Sequence, residues 1–228
     1  MTSNTSGWTA IAILAATTSA QGSILFDQIG SAANLPPTGP EGFYRYGSQV
    51  FAGEPQYDVA ALDDFTLSTG ARISSVATVI AGYGAFSSYG AIQGFELRLF
   101  ASPQDAAAGL GSAIASASLG VPAAYTAYGT GMMAEFTLSQ SIELGAGHYW
   151  MTVQAVNHAP SNGQVGVVIS DIGDWSSYQA NPGGGFGIPG NLLARPVNLA
   201  YRLGGDPVPA PGAGAAVLLM GLARVRRR

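Results

Sequence analysis

The chain contains no cysteine and, because its nine basic residues are all arginine, no lysine. Without cysteine there is no disulfide framework and no thiolate chemistry, so the redox compartment has to be read from other features. Charge of either sign is scarce. Only 10% of the 228 residues are charged, against roughly 25% in ordinary soluble domains. Four of the nine arginines (Arg224, Arg226, Arg227, Arg228) crowd into the last five positions. From Gln21 to Asp206 five arginines therefore face thirteen acids, a net charge of −8. That balance speaks against a nucleic-acid partner, since neutralising phosphates takes a basic stripe and this stretch has none. Histidine is also rare, with His148 and His158 alone, too few for most zinc sites.

What the chain does have is apolar residues (47%) and 32 glycines, enough for one substantial domain with a real core. Between Ile24 and Gly205, short alternating segments are divided by Gly, Pro, Asn and Ser. "FELRLF" puts Phe95, Leu97 and Leu99 on one face and Glu96 and Arg98 on the other. "VNLAYRL" does the same with Val197, Leu199, Tyr201 and Leu203. Further strands are expected over Ile24–Ile29, Asp58–Leu67, Ile73–Ala81, Met132–Leu138, His148–Val156 and Gln164–Ser170. Helical signal is confined to "SPQDAAAGL", where Ser102 suits an N-cap and Pro103 the first helical position. Many short strands without long helices imply an all-β fold, an antiparallel β-sandwich that is jelly-roll-like. "SNGQ" at Asn162 and Gly163 reads as a hairpin turn joining the strands on either side.

Both ends read as addresses. An apolar stretch from Trp8 to Ala16, followed by small residues, reads as a signal peptide over 1–20 with cleavage after Ala20. "MTSNTSG" before it carries no Lys or Arg, so export relies on the free amino terminus or the true start lies upstream. The body domain then spans 21–206. At the other end, 207–228, Pro207, Pro209 and Pro211 hold the chain extended. The run "AGAAVLLMGLA" would make a helix of about 16 Å, short of a bilayer core of about 30 Å. The arginines after it resist translocation.

This order of a Pro-x-Pro element (Val208, Pro209, Ala210, Pro211), an apolar segment and an arginine cluster resembles the PEP-CTERM sorting signal of Gram-negative bacteria, with Ala210 where that family usually has glutamate. The segments "ALDDFTL" and "LGAGHYWMTVQAV" are similar to those in β-sandwich bodies that often precede the signal. The resemblance implies processing by an exosortase-type enzyme and only transient membrane contact through the C-terminal segment. It also implies a secreted or cell-surface location, with a structural or adhesive role in the exopolysaccharide of a biofilm matrix.

Chemistry inside the body is thinner. "GFGIPG", Gly185–Gly190, satisfies G-x-G-x-x-G, but Pro182 and glycines precede it and Pro189 interrupts it. A dinucleotide needs a strand before the glycines and a helix after them, so a surface loop is expected. A Ser-His-Asp triad has no nucleophile elbow to start from, which leaves a secreted hydrolase as an alternative without catalytic residues. Asp63 and Asp64, with Asp27 or Asp171, offer oxygens for calcium, which takes about six to eight of them; the other reading has one aspartate capping a turn and one facing water. On "HYWMTVQ" the apolar face Tyr149, Met151 and Val153 leaves Trp150 on the opposite face with His148, Thr152 and Gln154. There it either stacks on a sugar ring, giving a lectin-like carbohydrate-binding module, or is covered by the loop carrying Trp175 and Tyr178.

Overall fold

The computed structural model describes residues 22–208. Fifteen strands carry the body: β1 Ser23–Asp27, β2 Arg45–Gly47, β3 Gln49–Phe51, β4 Ala60–Leu67, β5 Ala71–Tyr83, β6 Gly94–Phe100, β7 Ala115–Ser118, β8 Tyr125–Tyr128, β9 Gly131–Leu144, β10 Gly147–Asn157, β11 Gln164–Ser170, β12 Ser177–Ala180, β13 Leu192–Arg195, β14 Asn198–Leu199 and β15 Tyr201–Pro207. Two short helices accompany them, α1 over Pro103–Ala108 and α2 over Ala159–Asn162.

The strands form two sheets packed face to face. In the eight-stranded sheet, β5 pairs with β9 along one edge and with β15 and then β11 along the other, while β1 pairs with β15 and β2 with β11. The seven-stranded sheet runs β13-β12-β4-β10-β6-β7. Pairing is antiparallel throughout except where β3 runs parallel to the end of β10. From β9 to β15 four of the six connections pass from one sheet to the other, and the two packed sheets make the all-β sandwich expected of this strand pattern.

The core lies where alternation puts it. Phe95, Leu97, Leu99, Met151, Val153, Val197, Leu199, Tyr201 and Leu203 all belong to one buried cluster between the sheets. Along β5 and β11 the apolar residues are nearly continuous, and the reason is a second layer. Ala77, Val79, Ala81 and Val168 turn outward and are covered by Ile29 and Leu35 of the segment after β1.

Side chains also tie the sheets together through otherwise stranded backbone groups. The Tyr201 hydroxyl donates to the Ala61 carbonyl at 2.8 Å, and the Val165 amide donates to Gln49 Oε1 at 2.8 Å. Buried polar groups must be paired in this way or cost free energy.

Several boundaries move for local reasons. The first strand stops at Asp27 rather than Ile29, because Asp27 Oδ1 accepts from the amides of Ile29 (2.8 Å) and Gly30 (3.1 Å) and turns the chain. The strand expected to end at Leu138 continues to Leu144, losing register with β5 between Thr137 and Ile142. α1 has the expected start, with Ser102 Oγ accepting from the Asp105 amide at 3.3 Å.

Asn162 and Gly163 need correcting. They do not close a hairpin, because β10 and β11 lie in different sheets. Residues 159–162 form a helical turn, and Gly163, at φ +65°, carries the chain across the sandwich.

Candidate functional site

Adjacent residues of a strand face opposite sides, and this separates Asp63 from Asp64. Asp63 points into the sandwich and is fully buried. Its Oδ1 accepts from the Asp64 amide at 2.9 Å and its Oδ2 from the Leu199 amide at 2.5 Å. The Gln28 carboxamide, oriented to satisfy its own hydrogen bonds, donates to Oδ2 at 2.8 Å. Burial holds the Asp63 carboxyl well above the usual carboxylate range, against the pull of those amides. Asp64 points outward and meets His148 Nε2. The two carboxylates therefore do not converge on one cation, which corrects the expected calcium pair. Asp27 is engaged by the Ile29 and Gly30 amides and by Arg202 at 3.1 Å. Among the described residues no group of three or more His, Cys, Asp and Glu side chains is placed to hold a metal.

Trp150 lies on the outer face of its sheet, as alternation requires, but only 7% of it is exposed. It belongs to a small cluster with Leu62, Phe100, Ala180 and Ala106 of α1, and Tyr178 meets its ring edge-on at 5.2 Å. The expected stacking platform is thus corrected to a covered indole, and Tyr178 is part of the cover.

His158 bonds Ser161 Oγ at 2.9 Å within one exposed turn, and among the described residues no carboxylate bonds that ring. The glycine loop is a loop. Asn181 braces it, donating to the carbonyls of Gln56 (3.0 Å) and Asp58 (2.8 Å) and accepting from the Phe186 amide at 2.8 Å. Beyond it comes a single 3-10 turn and then β13, with no helix to gather an anion.

Of the residues expected to form a sorting element, Val208 is in view, its amide donating to the Gly70 carbonyl at 2.7 Å beside the last strand. Pro209, Ala210, Pro211, Arg224, Arg226, Arg227 and Arg228 lie outside the described residues, as does the expected cleavage point after Ala20.

A cleft of about 250 Å³ was not anticipated from the sequence. Phe43, Arg45 and Gly47 line it from the segment leading into and forming β2, Tyr83 from the end of β5, and Gln179 and Arg195 from β12 and β13 of the other sheet. Arg195 bonds Glu41 at 3.0 Å and Gln179 Oε1 at 3.0 Å, while the Tyr46 hydroxyl donates to the same Glu41 at 2.6 Å. The Arg45 guanidinium is held between two rings, 4.2 Å from the Tyr44 centroid and 5.1 Å from that of Tyr83. Burial pushes the Tyr83 phenol up to about 12, with Arg45 opposing, so it remains a neutral hydroxyl near neutral pH.

A wider groove, about 510 Å³, crosses the outer face of the eight-stranded sheet over Ser75, Ala77, Glu135, Thr137 and Gly204. Its one arginine, Arg202, is committed to Asp27. No protein-family model matches the chain, and no curated protein matches it. Function has to be argued from its own residues.

Proposed function

We propose that this chain is an exported protein, processed by an exosortase-type enzyme and delivered to the cell surface or surrounding polysaccharide of a Gram-negative bacterium in a structural or adhesive role. What carries the reading is the order of features after the last strand: Val208 to Pro211, the apolar run to Ala223, then four arginines in five positions. Few charges and many hydroxyl and amide side chains suit a protein that works among hydrated polymers.

A second reading, a carbohydrate-binding module, draws support from the Arg45 cleft and none from Trp150. The hydrolase alternative gains no residues, because His148 and His158 each sit in a local pairing away from any cleft described above.

Intact-mass measurement on protein recovered from the native host's envelope and medium tests the proposal. The expected species begins at Gln21 and ends near Val208 to Pro211. A species outside the cell that still ends at Arg228 would refute it.

A further inference from the structure

Five arginines serve a body of net charge −8, and four of them are engaged. Arg72 pairs with Glu143, Arg195 with Glu41 and Arg202 with Asp27, and Arg98 donates to Gln154. Arg45 is different. Among the described residues it has no carboxylate and no hydrogen-bond partner; its Nε is buried without one, as are those of Arg195 and Arg202, but its terminal nitrogens are unpaired as well. In so acidic a protein a guanidinium would ordinarily be claimed by a neighbouring carboxylate. Here the Tyr44 and Tyr83 rings lie against it, which holds the guanidinium in place and leaves its N–H groups uncommitted.

The surroundings narrow what those donors would take. A planar bidentate fork matches a carboxylate. Beside it Phe43 is 63% exposed, and its position is set because its carbonyl accepts from the Gly39 amide at 2.8 Å. An exposed aromatic face with polar groups around it suits the C–H face of a sugar ring. The Tyr83 hydroxyl, which lines the cleft, supplies a partner for a ring hydroxyl. Gly47 keeps the floor open, since a Cβ there would stand 2.5 Å from the Tyr83 hydroxyl. Arg45 and Arg195 against Glu41 leave the cleft with one net positive charge. Its volume lies below the roughly 300–1,000 Å³ of pockets for drug-sized ligands, so one ring fits and a long segment does not.

We infer that this cleft binds a uronate residue of an acidic polysaccharide, with the sugar carboxylate on Arg45 and its ring against Phe43. An acidic peptide would satisfy Arg45 but would make no use of the ring-sized aromatic face. A single ring gives weak affinity, and repeated uronates along a polymer raise the overall binding through effective concentration. The inference rests on the proposed function only for where the polymer is met. Binding is measured on purified protein and sorting in cells, so either can fail alone.

The test is affinity electrophoresis of the full-length protein in native gels containing polygalacturonate, dextran or poly-glutamate. Polygalacturonate should retard the protein and dextran should not. Arg45→Gln should raise the apparent Kd at least tenfold, and Arg45→Lys should recover part of the loss. Phe43→Ala should raise it at least threefold with an unchanged melting temperature, and it decides the matter if Arg45→Gln proves unstable. Because the body is acidic, bulk electrostatics oppose this binding, and the terminal arginines are controlled with Arg226→Ser, Arg227→Ser and Arg228→Ser, which should leave it intact. No retardation, equal retardation by poly-glutamate or dextran, indifference to both cleft variants, or loss with the terminal arginines would overturn the inference.

Discussion

The amide of Leu199 donates to Asp63 Oδ2 at 2.5 Å, joining β14 of one sheet to β4 of the other through a fully buried carboxylate. Removing that carboxylate strands the Leu199 and Asp64 amides and the Gln28 carboxamide, at about 1–3 kcal/mol for each buried group left unpaired. Asp63→Ala should therefore be severely destabilising, and Asp63→Asn, which keeps one acceptor, less so. The pH dependence has a definite sign. Burial raises the folded carboxyl above its ordinary value of 3.8, so the folded state holds the proton more tightly than the unfolded chain. Wild-type stability relative to Asp63→Asn should fall as pH rises from about 3.8 toward the raised value. Urea unfolding across that window checks it; a constant or rising difference would count against the assignment.

Trp150 should matter for stability and not for binding. Its indole fills the space between the sheet and α1, with Ala106 and Tyr178 against it. Trp150→Ala should cost about 3–5 kcal/mol, the usual range for truncating a buried aromatic. Polygalacturonate retention of the folded fraction should match the wild type. A selective loss of retention with little change in melting would return the stacking role to this residue.

Gly163 can be tested against a built-in control. A Cβ at Gly163 would stand 2.3 Å from the Phe86 amide nitrogen and 2.5 Å from the Gly84 carbonyl oxygen, both backbone atoms. Gly187 has nearly the same φ, +64° against +65°, with nothing within 4 Å of its Cβ position. Gly187→Ala should cost on the order of 1 kcal/mol for the left-handed backbone alone. Gly163→Ala should cost clearly more, since its ψ of −149° takes it outside the left-handed α region into one that only glycine adopts readily, and the backbone of the crossing would also have to shift. Equal changes in chemical denaturation midpoint would show that neither the contact nor the backbone conformation at Gly163 matters.

These contrasts show what the sequence could carry. Alternation along "FELRLF" and "HYWMTVQ" is a local property, and it assigned the inward faces of β6 and β10 correctly. The cap at Ser102 is equally local. A turn signature such as Asn162-Gly163 reports a bend but not which sheet receives the next strand. The outward face of Trp150 was legible and cover by Tyr178 was one of its two readings, but the contribution of Ala106 from α1, far away in the chain, was not. The cleft was hidden for the same reason. "GFYRYG" signals aromatic residues around an arginine, but Tyr83, Gln179 and Arg195 reach it only through the pairing of sheets.

The tail supplies the remaining prediction. Arg226, Arg227 and Arg228 follow the strand-bearing body and a run too short to span a bilayer comfortably, so their expected action is electrostatic, holding that end on the cytoplasmic side while processing occurs. Replacing all three with serine removes most of the terminal positive charge and changes no residue between 22 and 208. The triple variant should be missorted in its native host, shifting between membrane, surface and medium fractions, while its purified form melts within about 1 °C of the wild type. The thermal measurement separates an effect on sorting from an effect on the fold. Normal sorting of the triple variant would remove the electrostatic role. A melt several degrees lower would mean that these arginines act on the body, and the separation of address from fold would have to be abandoned.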